Sequence, residues 1–145
     1  MFNIIFFYLL FILYYNTTVS YKMNKLNLSL SSLFSILLLD AIYIMLISKN
    51  MFNTMIRSIQ GLSIKPNYLA IFITYVFIFI SYFYFIIWKH GSIQDAFVLG
   101  LTTYAIYEFT NYSIFTKWSP QIAIIDTIWG GILFSLTRYI TKSLY

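Results

Sequence analysis

Residues Tyr68 to Trp88 read YLAIFITYVFIFISYFYFIIW, an apolar run without a single Asp, Glu, Lys or Arg. A helix rises about 1.5 Å per residue and needs about 20 residues to cross the hydrocarbon core of a bilayer. The run has that length. Lipid offers the backbone no hydrogen-bond partners, so such a segment must satisfy its own N–H and C=O groups as an α-helix. Its Tyr, Phe and Ile content would favour a strand in water, but too few such segments exist here to close a barrel.

Three further stretches qualify on the same terms, from about Leu26 to Ser48, Ile93 to Phe115 and Ile122 to Ile140. The segment between the first two spans, Lys49 to Pro66, carries Asn, Ser, Gln, Gly61 and Pro66 as breakers. Its middle, Met51 to Arg57, is expected to form a short helix lying in the interface. Lys89-His90-Gly91-Ser92 makes a tight turn, and Thr116-Lys117-Trp118-Ser119-Pro120 makes another, with Trp118 placed as an interfacial anchor. Short loops make consecutive helices antiparallel neighbours. The fold class read from the chain is all-α: an integral membrane bundle of four transmembrane helices with short loops. An apolar N-terminal extension, residues 1–22, precedes the four-helix transmembrane domain at 23–145. The extension contains Phe2 to Tyr15, too short to span comfortably, and reads as a signal-like segment, as an extra partial helix, or as the product of an upstream start with Met23 as the true beginning.

Composition agrees. Hydrophobic residues make up 61% of the chain and charged ones 9%, against about 25% charged in a soluble domain. The excess apolar surface must face lipid, so the localisation is a multi-pass membrane protein whose partner is the bilayer. The net charge of +5 comes from Lys22, Lys25, Lys49, Arg57, Lys65, Lys89, Lys117, Arg138 and Lys142. They are scattered between spans, where headgroup anchoring accounts for them, and no nucleic acid is implied. Cysteine is absent, which removes thiol chemistry and Cys-based metal sites. The lone His90 sits in a turn, so no zinc site is expected, although carboxylates alone could serve a hard cation. Any cofactor is left open. A homo-oligomer stays open, since four helices filled with Tyr and Phe leave little lumen for a pore.

The acidic residues are informative. The segment around Lys22 and Lys25, the Lys89 turn and the C-terminal tail are expected on one side of the membrane, side A; the Lys49–Pro66 and Lys117 loops are expected on side B. Asp95 falls in the first turn of the third span, at the side A surface, where it complements the helix dipole. Asp40, Glu108 and Asp126 lie roughly 12, 10 and 6 Å inside side B at about 1.5 Å per residue. They come from three different helices and share one half of the membrane, which suggests a polar pocket open toward side B. A carboxylate at such depth is a functional candidate by default.

Helical spacing extends the set. Ala96, Gly100, Tyr104, Tyr107, Glu108 and Asn111 share one face of the third span; Asp126, Trp129, Gly130 and Thr137 share one face of the fourth; Ser29, Asp40 and Tyr43 share one face of the first. The second span offers Thr74, Ser81 and Tyr84. The candidate intramembrane cluster is therefore Asp40, Tyr43, Tyr104, Tyr107, Glu108, Asn111, Asp126 and Trp129, with Arg57 and Lys117 as basic counter-charges from side B.

Three blocks carry a resemblance: Leu39-Asp40-Ala41-Ile42-Tyr43, Tyr104-Ala105-Ile106-Tyr107-Glu108-Phe109-Thr110-Asn111, and Asp126-Thr127-Ile128-Trp129-Gly130. In order and spacing they resemble the DUF2177 family of uncharacterised membrane proteins, from about Met23 to the end. Pro66 to Ala70 and Lys117 to Pro120 fit as well. The family pattern has Asp where this chain has Glu108, which keeps the charge and adds a methylene of reach. The resemblance implies four spans and no established activity.

Three functions fit these residues. The leading one is a pocket that binds or passes a proton, cation or small polar solute, with Asp40, Glu108 and Asp126 as ligands or proton acceptors and Tyr104, Asn111 and Trp129 orienting them. The second is a structural or assembly protein whose polar residues specify helix packing. The third is a membrane-embedded lipid-modifying enzyme with a carboxylate as general base, which leaves enzymatic activity and any catalytic residue open.

Overall fold

The computed structural model describes residues 24–144, and the N-terminal extension lies outside them. The described residues form four helices and no strand. Helix α1 runs Asn24–Gln60, α2 Tyr68–Trp88, α3 Ile93–Ile114 and α4 Pro120–Leu144.

Helix α1 departs from expectation. It does not stop at Ser48, and Met51 to Arg57 is not a separate interfacial helix. The chain passes through a wide π-type turn at Ile44–Ser48, where the Lys49 N–H bonds the Ile44 carbonyl, and continues to Gln60. Lys49 and Asn50 are polar but neither breaks a helix; only Gly61, at φ 76°, ends it, its N–H bonding the Arg57 carbonyl at 2.9 Å. With 37 residues, α1 is about 55 Å long, well beyond the thickness of a hydrocarbon core. Its last three turns project on side B. There Met51, Phe52, Met55, Ile56 and Ile59 pack on Trp118, Ile122 and Ala123, while Thr54, Arg57 and Ser58 stay exposed.

The other boundaries follow local chemistry. Asn67 caps α2 by accepting the Ala70 N–H. Ser92 and Asp95 form a reciprocal capping box at the start of α3, with Ser92 accepting the Asp95 N–H at 3.0 Å and Asp95 accepting the Ser92 N–H at 2.8 Å. Pro120 opens α4, where its missing N–H costs nothing. Helices α1, α2 and α4 are each long and apolar enough to cross a membrane. Helix α3, at 22 residues, matches them in length and is more polar, carrying Thr102, Thr103, Tyr104, Glu108 and Asn111. The protein is a multi-pass helical membrane bundle. Large side chains such as Phe34, Phe72, Phe77 and Ile106 point outward, as lipid requires.

Helices α3 and α4 approach most closely. A Cβ on Gly100 would collide with the Gly130 carbonyl, and one on Gly130 would meet the Tyr104 ring and the Gly100 carbonyl. Small residues here bring two backbones into contact. Toward side A, Ile36, Tyr82, Ile86, Ile87, Ala96, Leu133 and Phe134 are buried together, and Ser32, Thr137 and Thr141 are fully buried as well. Gly100→Ala should therefore lower detergent-solubilised thermal stability by about 1–3 kcal/mol or more. Gly61→Ala, in open space, should cost only the left-handed backbone term of about 1 kcal/mol. Thermal melts of the two variants compare them directly, and equal shifts would argue against the close crossing.

Candidate functional site

Asp40 projects from α1 into the bundle and meets one donor from each of the other helices. Its Oδ2 accepts the Tyr75 hydroxyl of α2 at 2.6 Å; its Oδ1 accepts the Trp129 indole N–H of α4 at 2.9 Å and the Tyr104 hydroxyl of α3 at 3.3 Å. Three donors thus surround its two oxygens in place of water. The Tyr104 ring reaches this position because it lies flat over Gly130.

One turn along α1, Tyr43 stacks on Trp129 with ring centroids 4.3 Å apart and planes 9° from parallel. Its hydroxyl is hydrogen-bonded to Asp126. The Asp126 carboxyl lies close enough to that of Glu108 for the two to interact electrostatically. Glu108 is fully buried. Its Oε2 accepts the Trp118 indole N–H at 2.8 Å, and its Oε1 faces no donor.

These contacts form one continuous network: Tyr75 and Tyr104 to Asp40, Asp40 to Trp129, Trp129 stacked on Tyr43, Tyr43 to Asp126, Asp126 to Glu108, and Glu108 to Trp118. Asp40, Tyr43, Glu108 and Asp126 are all buried. Among the described residues no group of three or more acidic or histidine side chains is arranged to hold a metal ion.

A family model described as a predicted membrane protein, DUF2177, matches residues 25–142. The chain belongs to the DUF2177 family. Among curated proteins and among solved structures, none matches it. The matched residues include all of the network just described, so the site of this DUF2177 protein lies wholly within the family region.

Six of the eight candidate cluster residues meet in this network: Asp40, Tyr43, Tyr104, Glu108, Asp126 and Trp129. Two do not. Asn111 turns back to donate to the Tyr107 carbonyl of its own helix at 2.9 Å. Tyr107 is more than half exposed and touches the site only edge-on, through Trp118 at 6.2 Å between centroids. The counter-charges are also elsewhere. Lys117 donates to the Ser58 carbonyl at 3.0 Å, and Arg57 is exposed in the last turn of α1. The basic pair that a phosphate-handling site would want at its mouth is thus not turned toward the carboxyls.

Two network members escape the sequence reading. Tyr75 sits on a helix whose run of aromatics has no polar period, and Thr74, Ser81 and Tyr84 drew the attention instead. Thr74 bonds the Ala70 carbonyl of its own helix, and Tyr84 is exposed. Trp118 was expected at the interface; it is 4% exposed and reaches inward to Glu108. The two lie ten residues apart, with Trp118 in the loop beyond the helix that carries Glu108, so no helical period singles it out.

Tyr75→Phe should cost about 1.5–3 kcal/mol, the range for a hydrogen bond to a charged group. Tyr84→Phe should stay within about 0.5 kcal/mol. Thermal unfolding in the same detergent distinguishes the two tyrosines. Adding Trp129→Phe to Tyr75→Phe should give a non-additive loss, because both serve one carboxylate.

Proposed function

We propose that this protein binds a proton between Glu108 and Asp126, and that taking up or passing this proton is what its bundle interior is built for. The carrying observation is Glu108 itself: a fully buried carboxyl whose Oε1 has no donor, set beside a second carboxyl. Two carboxyl groups in contact, away from water and without a cation, repel strongly when both are ionised. One proton removes the repulsion and supplies the donor that Oε1 lacks. The same arrangement could accept a cation in the proton's place, but the proton needs no added volume in a packed interior.

A structural reading has its own support at Asp40. Its three donors join all four helices, and such a carboxylate specifies packing whatever else the protein does. The two readings therefore divide along the network: Asp40 fixes the bundle, and the Glu108–Asp126 pair holds the exchangeable proton.

The test is infrared difference spectroscopy with proton flux measured in parallel. The reconstituted wild type should show a protonated-carboxyl C=O band that shifts in deuterated water and is lost in Asp126→Asn and Glu108→Gln. Vesicles loaded with a pH-sensitive dye should acidify under an imposed potential, and both variants should reduce that flux. A folded Glu108→Gln with unchanged band and unchanged flux would reject the proton site.

A further inference from the structure

A hydroxyl side chain within a membrane helix commonly returns to its own backbone, donating to the carbonyl four residues back. Ser29, Ser31, Thr74, Thr102, Thr103 and Thr141 all do so. Ser32 of α1 and Thr137 of α4 do not. Both are fully buried, and neither oxygen has a hydrogen-bond partner among the described residues. The Tyr82 hydroxyl of α2 is a third group of this kind, on a fully buried side chain and equally without a partner.

These groups gather in the side A half of the bundle. The Tyr82 oxygen lies close to the hydroxyls of Ser32 and Thr141 without meeting either in hydrogen-bonding geometry. The Tyr82 ring packs edge-on against Phe134, with centroids 5.3 Å apart. Tyr82 therefore runs along α4 from Phe134 to Thr141, and Thr137 stands between those two on the same helix face. Ile36 and Phe134, buried one turn nearer side B, separate the hydroxyls from Asp40. Ile86 is buried one turn nearer side A, where Arg138 ties the Lys89–Ser92 turn to α4 by donating from Nε to the Gly91 carbonyl at 2.9 Å. Two π-type stretches interrupt the described helices, and each begins directly after a tyrosine of a polar layer: Ile44–Ser48 after Tyr43, Phe83–Trp88 after Tyr82. Such widenings occur frequently at functional sites.

We propose that Ser32, Tyr82, Thr137 and Thr141 form a binding site for a water molecule, a second polar site that does not depend on a proton at the carboxyl pair. Polar atoms left unpaired in a water-excluded interior are costly. Hydroxyls that lie close without bonding are at separations that a bridging water spans. A buried water typically makes about three hydrogen bonds to groups otherwise unpaired, and Ser32, Tyr82 and Thr137 supply that number. Water serves them in both senses. It accepts from the Tyr82 and Thr137 hydroxyls and donates to Ser32 and to Thr141, whose own proton goes to the Thr137 carbonyl at 2.8 Å. A cation would find no carboxylate among these groups and Arg138 close by. An anion would want that guanidinium, whose Nε is turned to Gly91. The water joins α1, α2 and α4 in this half of the membrane, as Asp40 joins the helices in the other, but through a molecule that can exchange.

The experiment is X-ray radiolytic labelling of the full-length protein in lipid nanodiscs, read residue by residue by mass spectrometry. Hydroxyl radicals made from a bound water oxidise the ring beside it, so a fully buried tyrosine is labelled where water lies against it. Tyr82 should be labelled although it is buried, as the exposed Tyr84 is. Thr137→Val, which keeps the shape and removes the hydroxyl, should lower the Tyr82 rate about fivefold, the loss of one hydrogen bond to the water. Ser32→Ala should do the same, and Tyr84 should be unchanged in both. The two substitutions lie on different helices, so either one decides if the other fails to fold. Thr102→Val, whose hydroxyl serves its own helix, should leave both rates alone, and chloride and gluconate buffers should give equal labelling. An unlabelled Tyr82 in the wild type, or a Tyr82 rate unchanged by the substitutions, would overturn the water site in favour of direct bonds among the hydroxyls. Labelling of Tyr82 only after chloride is removed would overturn it in favour of an anion. Neither result touches the infrared band that tests the proton site.

Discussion

Asp40 accepts from Tyr75, Tyr104 and Trp129, and in doing so one side chain of α1 touches α2, α3 and α4 at a single level of the membrane. In water such a carboxylate would be solvated wherever it pointed. Within a bilayer it has no such freedom, and leaving it unpaired costs about 3 kcal/mol on insertion scales. The bundle is arranged so that this cost does not arise. Hydrophobic burial cannot by itself hold membrane helices together, because lipid tails are as apolar as the helices' own faces. A buried acceptor with three obligatory donors is directional where packing alone is not. It fixes the rotation of every helix about its own axis.

The glycines at the α3–α4 crossing make the second constraint. With the two backbones in contact at Gly100 and Gly130, side chains further along the antiparallel pair must also meet. Tyr104 is laid over Gly130 and so pointed at Asp40. One turn beyond it, Glu108 comes opposite Asp126. The carboxyl pair is thus not an independent feature added to the fold. It is set by the register that the close crossing imposes, in the same way that the Asp40 cage is set by helix rotation.

Much of this can be read from the chain, and the part that cannot has identifiable causes. Three long apolar runs and a fourth, more polar helix of similar length are legible, because bilayer thickness and backbone hydrogen bonding leave few choices. Asp40, Glu108 and Asp126 stand out because charge is so rare inside the spans, and Tyr43, Tyr104 and Trp129 follow from helical spacing relative to them. The same spacing admits Tyr107 and Asn111, since an arc of about 120° is wider than the contact itself. Tyr75 is hidden among 14 tyrosines on a helix with no polar period, and only a three-dimensional partner distinguishes it. The length of α1 is obscured for a different reason: polarity at Lys49 resembles the end of a span, whereas helices end at groups that cannot continue the backbone pattern. Gly61 is such a group and Lys49 is not.

The network contains two carboxyl environments that differ in one countable respect. Asp40 has three donors for its two oxygens, while Glu108 has one donor, from Trp118, and an oxygen left over. A fully satisfied group gains nothing from binding anything further, so Asp40 is suited to permanence. An unsatisfied one in a water-excluded setting gains from any donor that reaches it, and the nearest candidate is a proton on Asp126. Trp129 and Tyr43, stacked face to face between the two environments, link them mechanically: the ring that serves Asp40 also fixes the ring whose hydroxyl serves Asp126. On the proposed proton site, Tyr43 and its stack on Trp129 are what stands between the pair and Asp40.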